Sequence, residues 1–423
     1  MKPPIMSTTA GLDARCKLAE IGVFLLGAAS LALPQGLAGF ALCLFLSTFL
    51  GWRQLQAGAA EMGRPLRVLL WLSAAVVAMA LLSNLLFEDH LRDVDNRSRF
   101  IALPWIALWT YSLKPRMGAL WLGALVGIAV SLLLALWQVE HQLPRAYGWT
   151  NSIVFADVLL ALVVVVALCR PHGRWPWLVV ALVAAIAAIV LSGSRGVWFG
   201  LALVLALLVW GAGWRSHRQR GMALLGALVV LVVLLLSVPG LDRQMRLLEL
   251  RTDMQRLEHG DVESSAGARL EVWRVAFDTA RKHPFTGVGI GRFEDALAAD
   301  PDCRADPELD YCRLGHAHND LAEWTAAQGI PGGLLLLMVY GVPLWLLLHL
   351  HRASGRERWR GPAAAGVTVV VCYAMCGFTQ SMFAHQLSGG MYVSLLGVLV
   401  GMAAREAQQA AAASAAATEL SGN

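Results

Sequence analysis

The chain has 423 residues, 57% of them hydrophobic and 15% charged, and a formal net charge of +5. Soluble domains carry about 25% charged residues, so this composition excludes a water-soluble fold and makes the bilayer the solvent. The positive charge is spread between apolar runs rather than gathered in one patch. It reads as a topology signal, and nucleic acid is not an expected partner.

Apolar runs of about 20 residues recur, each long enough to cross a hydrocarbon core of about 30 Å as a helix. The short alternating segments of a membrane barrel are missing. Taken in order, the runs predict an all-α integral membrane protein with about twelve transmembrane helices: 18–34, 36–52, 66–86, 100–113, 117–138, 151–169, 176–192, 196–213, 222–238, 329–350, 362–383 and 387–403. The run at 100–113 is short for a lipid-exposed helix, so tilt, a break or shielding by neighbours is expected there. The first run lacks a small-residue cleavage site followed by a soluble domain and reads as a span.

Positive residues stay on the cytoplasmic side of short loops. Alternate connections carry Arg53, Arg64 and Arg67; Lys114 and Arg116; Arg170 and Arg174; Arg215, Arg218 and Arg220; and Arg352, Arg356, Arg358 and Arg360. Those loops and both termini are expected in the cytoplasm. The opposite connections, 87–99, 138–150, 192–195, 239–328 and 384–386, then face the periplasm or cell exterior. This divides the chain into spans one to nine (1–238), an exported loop (239–328), spans ten to twelve (329–404) and a cytoplasmic Ala-rich tail (405–423) expected to fray.

The exported loop is far longer than a usual connection, which points to function. It begins with LDRQMRLLELRTDMQRLEHGD, an amphipathic stretch suited to the bilayer surface. Ser264 or Ser265 can cap a helix running to about Lys282, with Arg269, Trp273 and Ala276 or Ala280 on one face. Arg269 falls near the start of that helix, where free backbone N–H groups favour an anion. Pro284 stops the helix and GVGIG supplies tight backbone before Phe293; no strand precedes it, so it is not a nucleotide loop. Cys303 and Cys312 either bridge, in an oxidising compartment, or remain two free thiols.

Several cations fall at exported ends of spans. Arg195, in LSGSRGVW, sits where two helices meet almost without a loop and needs an anionic partner: a substrate, Asp157 or lipid headgroups. Arg145 in QLPRAYGWTN, and Arg97 and Arg99 in DVDNRSRF, suit either interfacial anchoring or anion binding. Together with Arg269 they outline a guanidinium-rich pocket whose fork geometry matches phosphate oxygens.

In HAHNDLAEWTAAQGIPGG, residues 316–333, His318 is a side chain able to exchange a proton near neutral pH, with Asn319 and Asp320 beside it. His316, His318 and Asp320 also match metal ligation, but an H-x-H pair specifies little, and no metal or cofactor is expected. An arginine pocket open to the outer leaflet fits an amphiphile carrying phosphate or pyrophosphate. Outside the cytoplasm the energy for transfer comes from the donor's own pyrophosphate bond. Arginines stabilise that leaving group without a divalent cation, and a histidine takes the proton of an attacking sugar hydroxyl.

Three motifs carry a family resemblance: His318-Asn319, nine residues, then Gly329-x-x-Gly332; ARLEVWRVAF followed by HPFTGVGIGRF; and LSGSRG. With these the chain resembles the O-antigen ligases, within the superfamily that includes O-antigen polymerases and bacterial O-oligosaccharyltransferases. The resemblance implies a GT-C-like glycosyltransferase fold in the bacterial inner membrane. It also implies metal-independent, inverting transfer of O-antigen polysaccharide from undecaprenyl pyrophosphate to a terminal sugar of lipid A-core in the periplasm. In that scheme His318 activates the acceptor hydroxyl and Arg195 and Arg269 hold the pyrophosphate. Arg145 assists, with Arg99, Asn319 and His316 as further substrate-binding residues. Polymerases tend to carry two sizeable exported loops, and here 138–150 is short. Protein oligosaccharyltransferases tend to add a C-terminal domain, and a transporter would leave matched halves or paired broken helices; neither is evident.

Overall fold

A computed structural model describes residues 9–87, 95–211, 222, 265–356 and 358–421. The helices are α1 (Thr9–Ala28), α2 (Ala38–Leu50), α3 (Trp52–Met62), α4 (Arg64–Phe87), α5 (Asp95–Ser98), α6 (Ala102–Leu113), α7 (Met117–Glu140), α8 (Ser152–Leu168), α9 (Trp175–Ser192) and α10 (Val197–Gly211). After the next described break come α11 (Ser265–Lys282), α12 (Phe293–Ala298), α13 (Pro301–Ala305), α14 (Asp320–Ala353), α15 (Pro362–Gly377) and α16 (Gln386–Ser421). No strand occurs among the described residues.

The described residues are therefore helical without strands, as in a multi-pass membrane protein. Five described helices, α4, α7, α9, α14 and α16, are long and apolar enough to cross a bilayer, and α2 with α3 makes a sixth if counted as one bent span. The helices Ser152–Leu168, Val197–Trp210 and Pro362–Gly377 are apolar but shorter. The expected span 222–238, Met222 apart, and the amphipathic stretch at 241–261 lie outside the described residues.

Of the shorter helices α8 and α15 are shielded, whereas α10 leaves Phe199 and Trp210 exposed. From Val154 to Leu168 every residue of α8 is buried, as its Val-, Leu- and Ala-rich sequence without a polar stripe requires of a central helix. Helices pack closely where glycine allows it: a Cβ on Gly123 would fall 2.1 Å from the Phe24 carbonyl oxygen, and one on Gly127 2.1 Å from that of Gly27. This G-x-x-x-G pair brings α7 onto α1. Large side chains such as Phe49, Trp71 and Leu85 remain exposed around the outside, where lipid is their solvent.

Three boundaries differ from expectation. The polar stretch after span two is the helix α3, turned 91° from α2 and burying Leu55, Gly58 and Met62; its apolar residues form one stripe rather than a continuous run. The Ala-rich tail continues α16 to Ser421, because alanine has the highest helix propensity. Span ten begins upstream of its expected start, at Asp320, and is interrupted at Gln328 (φ −135°) and Gly329 (φ 64°, ψ −161°).

That interruption is satisfied from elsewhere in the chain. Pro331 has no N–H to return to Ala327, and the Ile330 N–H turns instead to the Pro284 carbonyl at 2.8 Å. The freed carbonyls of Ala326 and Ala327 accept from Val288 and Gly289, each at 3.0 Å. GVGIG thus docks backbone to backbone on the broken helix. A Cβ on Gly329 would lie 2.4 Å from the Pro284 oxygen. Gly329→Ala is therefore expected to destabilise the protein by about 1–3 kcal/mol, read as a lowered Tm of the detergent-purified chain; an unchanged Tm would remove the docking from this account.

Helices α11 to α13 form a small unit with its own core of Val272, Phe293, Leu297 and Tyr311. The Arg274 fork meets Asp300 at 3.3 Å through both nitrogens, and Cys303 and Cys312 are disulfide-bonded with Cα atoms 5.6 Å apart. α11 packs against α14.

Candidate active site

Asn319 starts α14: its side chain accepts from the Ala322 N–H at 3.0 Å and donates to the Phe378 carbonyl at 3.2 Å. The residue before it, His318, has φ 49°, uncommon for a side chain with a Cβ. The fold tolerates it because the 316–319 segment is tied down on both sides. Trp273 Nε1 donates to the Ala317 carbonyl at 3.0 Å, and the Ala317 N–H donates to Glu323 Oε2 at 2.7 Å.

Held this way, His318 meets the connection between α15 and α16. Its Nδ1 lies 2.7 Å from Gln380 Oε1, and Gln380 Nε2 lies 2.7 Å from His385 Nε2. With the Gln380 amide in this orientation its oxygen accepts from Nδ1–H of His318, leaving the lone pair on Nε2, and its N–H donates to Nε2 of His385, whose proton is then on Nδ1. Gln380 is fully buried, which fixes this chain in place. The His316 ring centroid is 4.1 Å from that of His318 and 5.1 Å from that of His385.

The three imidazoles are held neutral. Burial, then the neighbouring His316 and Arg269, pushes His318 down to about 3. Burial and His316 bring His385 to about 4, and burial with Arg269 lowers His316. Arg269 thus acts on both histidines of the doublet. It lies one turn before Trp273 on α11, the shared face expected from spacing.

The other arginines gather along the same connection. Arg145 Nε donates to the Ser192 carbonyl at 2.8 Å, and Ser194 Oγ to the Ser152 carbonyl at 2.8 Å, pinning the turn that bears half-buried Arg195. The adjacent Gly196 presses on Thr379, where a Cβ would fall 2.3 Å from the hydroxyl oxygen, and Thr379 precedes Gln380. At the other end Arg99 donates to the Gln386 carbonyl at 2.7 Å and pairs with Asp95 at 2.5 Å. His318, His316, Asn319, Arg269 and Arg99 therefore gather around residues 378–386, and Arg145 and Arg195 hold the adjoining 192–196 turn, whose Gly196 abuts Thr379.

Three expectations need correction. Arg97 is no interfacial anchor: it is 6% exposed, its guanidinium carbon is 3.2 Å from the Trp324 ring centroid, and it shares the field of Asp320 and Glu323. Asp320 does not join His316 and His318; it accepts from the Tyr340 hydroxyl at 2.7 Å and the Phe383 N–H at 3.4 Å. Among the described residues no group of three or more His, Cys, Asp and Glu is set to hold a metal ion. Asp157, suggested as a partner of Arg195, is buried in α8 and hydrogen-bonded with Cys376.

Gln380, His385 and Glu323 are the residues that sequence reasoning missed. For Gln380 and His385 the available signal was FTQSMFAHQ, a polar stretch at the end of an apolar run, read there as span and a three-residue connection; Glu323 lies one turn after Asn319 in HAHNDLAEW.

Residues 179–337 match the family model described as O-antigen ligase, a stretch containing Arg195, Arg269 and His318. Over 330 residues the chain is 22% identical to an uncharacterized protein of Haemophilus influenzae strain Rd, covering 75% of this chain and 81% of that protein.

Proposed function

Since the chain belongs to the O-antigen ligase family, a family of glycosyltransferase-like membrane enzymes acting on lipid-linked glycans, we propose that it is the ligase itself. It transfers O-antigen polysaccharide from undecaprenyl pyrophosphate to a terminal sugar of lipid A-core on the periplasmic face of the bacterial inner membrane. In this reading the fold is of the GT-C kind with twelve spans, and both termini are cytoplasmic. The arginine-rich connections around Arg116, Arg170 and Arg356 support that orientation.

The observation that carries the reading is His318 itself: Nδ1 is tied to Gln380, Nε2 is left with a lone pair, and Arg269 acts on the same ring. Nε2 takes the proton of the acceptor hydroxyl as its oxygen bonds to the anomeric carbon. The carbon–oxygen bond to pyrophosphate breaks on the opposite face, inverting the centre, and undecaprenyl pyrophosphate leaves with the electron pair. Arg195, Arg269 and Arg145 meet the charge that develops. A weak base in the empty site becomes a stronger one in the complex, because the bound pyrophosphate offsets the positive field of Arg269.

Arg195→Lys keeps a charge but loses the fork, so kcat/KM for the donor is expected to fall about 10- to 100-fold; an unchanged value makes Arg195 an anchor. The direct test is purified protein in vesicles with lipid-linked glycan, lipid A-core and EDTA. Glycan on lipid A-core in EDTA is expected. No such product sinks the ligase reading, and a loss reversed by added divalent cation sinks the metal-independent mechanism.

A further inference from the structure

A cavity of about 320 Å³ opens beside His385, between the α1–α2 turn, the loop before α8 and the start of α16. Its walls include Gln35, Leu37, Arg99, Trp149, Thr150 and His385. The mechanism above uses none of this space. At the small end of ligand pockets, which run about 300–1,000 Å³, it holds a compact polar unit rather than a lipid chain.

The lining chemistry is that of an uncharged, hydroxyl-rich ligand. Arg99 donates to the Gln386 carbonyl and pairs with the Asp95 carboxylate, which balances its charge within the protein, and its Nε is buried away from solvent. Trp149 is 51% exposed, and its indole N–H is spent on the Ala32 carbonyl at 3.0 Å, which leaves the ring face as what it offers. His385 receives Gln380 at Nε2, so Nδ1–H is its remaining donor. Thr150 and Gln35 add groups that donate and accept. An aromatic face with neutral hydrogen-bonding groups suits a pyranose, whose faces are apolar and whose rim is hydroxylated.

We propose that this cavity is a sugar subsite, holding one uncharged pyranose of a glycan substrate while a neighbouring unit reacts at His318. The proposal rests on the transferase reading. The link to the site is short: His385, in the cavity wall, is joined to His318 through the single side chain of Gln380. The pyranose belongs either to the acceptor core or to the donor glycan, and both present the same chemistry.

Two full-length variants test it in vesicles. Trp149→Ala removes the stacking face, and Ala38→Phe, at an exposed cavity-lining position on α2, fills the space without deleting a native contact. Each is expected to raise KM about tenfold, roughly one stacked aromatic face, with kcat within about twofold. A rise for lipid A-core alone assigns the acceptor sugar, and a rise for lipid-linked glycan alone the donor sugar. Unchanged KM for both substrates in Ala38→Phe overturns the subsite, as does a fall confined to kcat. Direct binding of delipidated core and donor oligosaccharides to wild type and Ala38→Phe in detergent needs no turnover. Binding lost on filling the cavity supports the subsite even if no transfer is seen, whereas equal binding, or no binding by wild type, overturns it.

Discussion

His318→Ala is expected to slow single-turnover glycan transfer by about 10²- to 10⁴-fold, the range lost with a general base, while the protein inserts and purifies like wild type. The side chain gives up one hydrogen bond, to Gln380, whereas the start of α14 is held by Asn319. A variant transferring at the wild-type rate removes His318 from the mechanism. The pH dependence follows with a definite sign. The folded value of about 3 lies below the ordinary value of 6.5, so the neutral base persists as pH drops through the usual histidine range. In the free enzyme kcat/KM should hold its plateau through pH 6.5 and fall only at more acid pH. Folding stability runs the same way. The unfolded chain takes up protons near 6.5 that folded His318 and His385 refuse. Stability from these groups is thus complete above that pH and lost as pH falls toward their folded values. Rates and melting curves measured on the same samples separate the two effects.

Arg97→Ala is expected to have the largest effect on folding. Burial disfavours the Arg97 charge and the fields of Asp320 and Glu323 offset part of that cost; removing the side chain takes its positive field from those buried carboxylates and uncovers the Trp324 face. Breaking a buried charge group in this way costs about 3–5 kcal/mol, enough to lose most folded protein from a chain of ordinary stability. Size-exclusion profiles and melting in detergent should show aggregation or a sharply lowered Tm, with Arg97→Lys intermediate because it keeps charge but not the stacked plane. A monodisperse Arg97→Ala protein with wild-type Tm contradicts this role.

What was legible in the sequence was mostly local. The extent and face of α11 are encoded in consecutive turns, so Ser265–Lys282 and the common side of Arg269 and Trp273 are readable, as is the proximity of His318 to its helix start. The Cys303–Cys312 bond was an open alternative, decided by the small unit that brings the thiols together. Other features depend on distant partners. The start of α14 at Asp320 was hidden because the break at Gln328 and Gly329 survives only through hydrogen bonds from Val288 and Gly289. Arg97 reads as an interfacial cation until Trp324 is packed beneath it. Gln380 and His385 gain meaning only when the α15–α16 connection meets the 316–319 segment. No periodicity within FTQSMFAHQ announces that meeting.

The central claim is that this chain uses His318 to join a lipid-linked glycan to lipid A-core. It is tested most directly by offering the reconstituted protein both lipid A-core and a second lipid-linked glycan as acceptors, and resolving the products by mass spectrometry. The account predicts glycan on lipid A-core, no lengthened lipid-linked glycan, and neither product with His318→Ala. Lengthened lipid-linked glycan with unmodified lipid A-core, or the same products from His318→Ala, would contradict it.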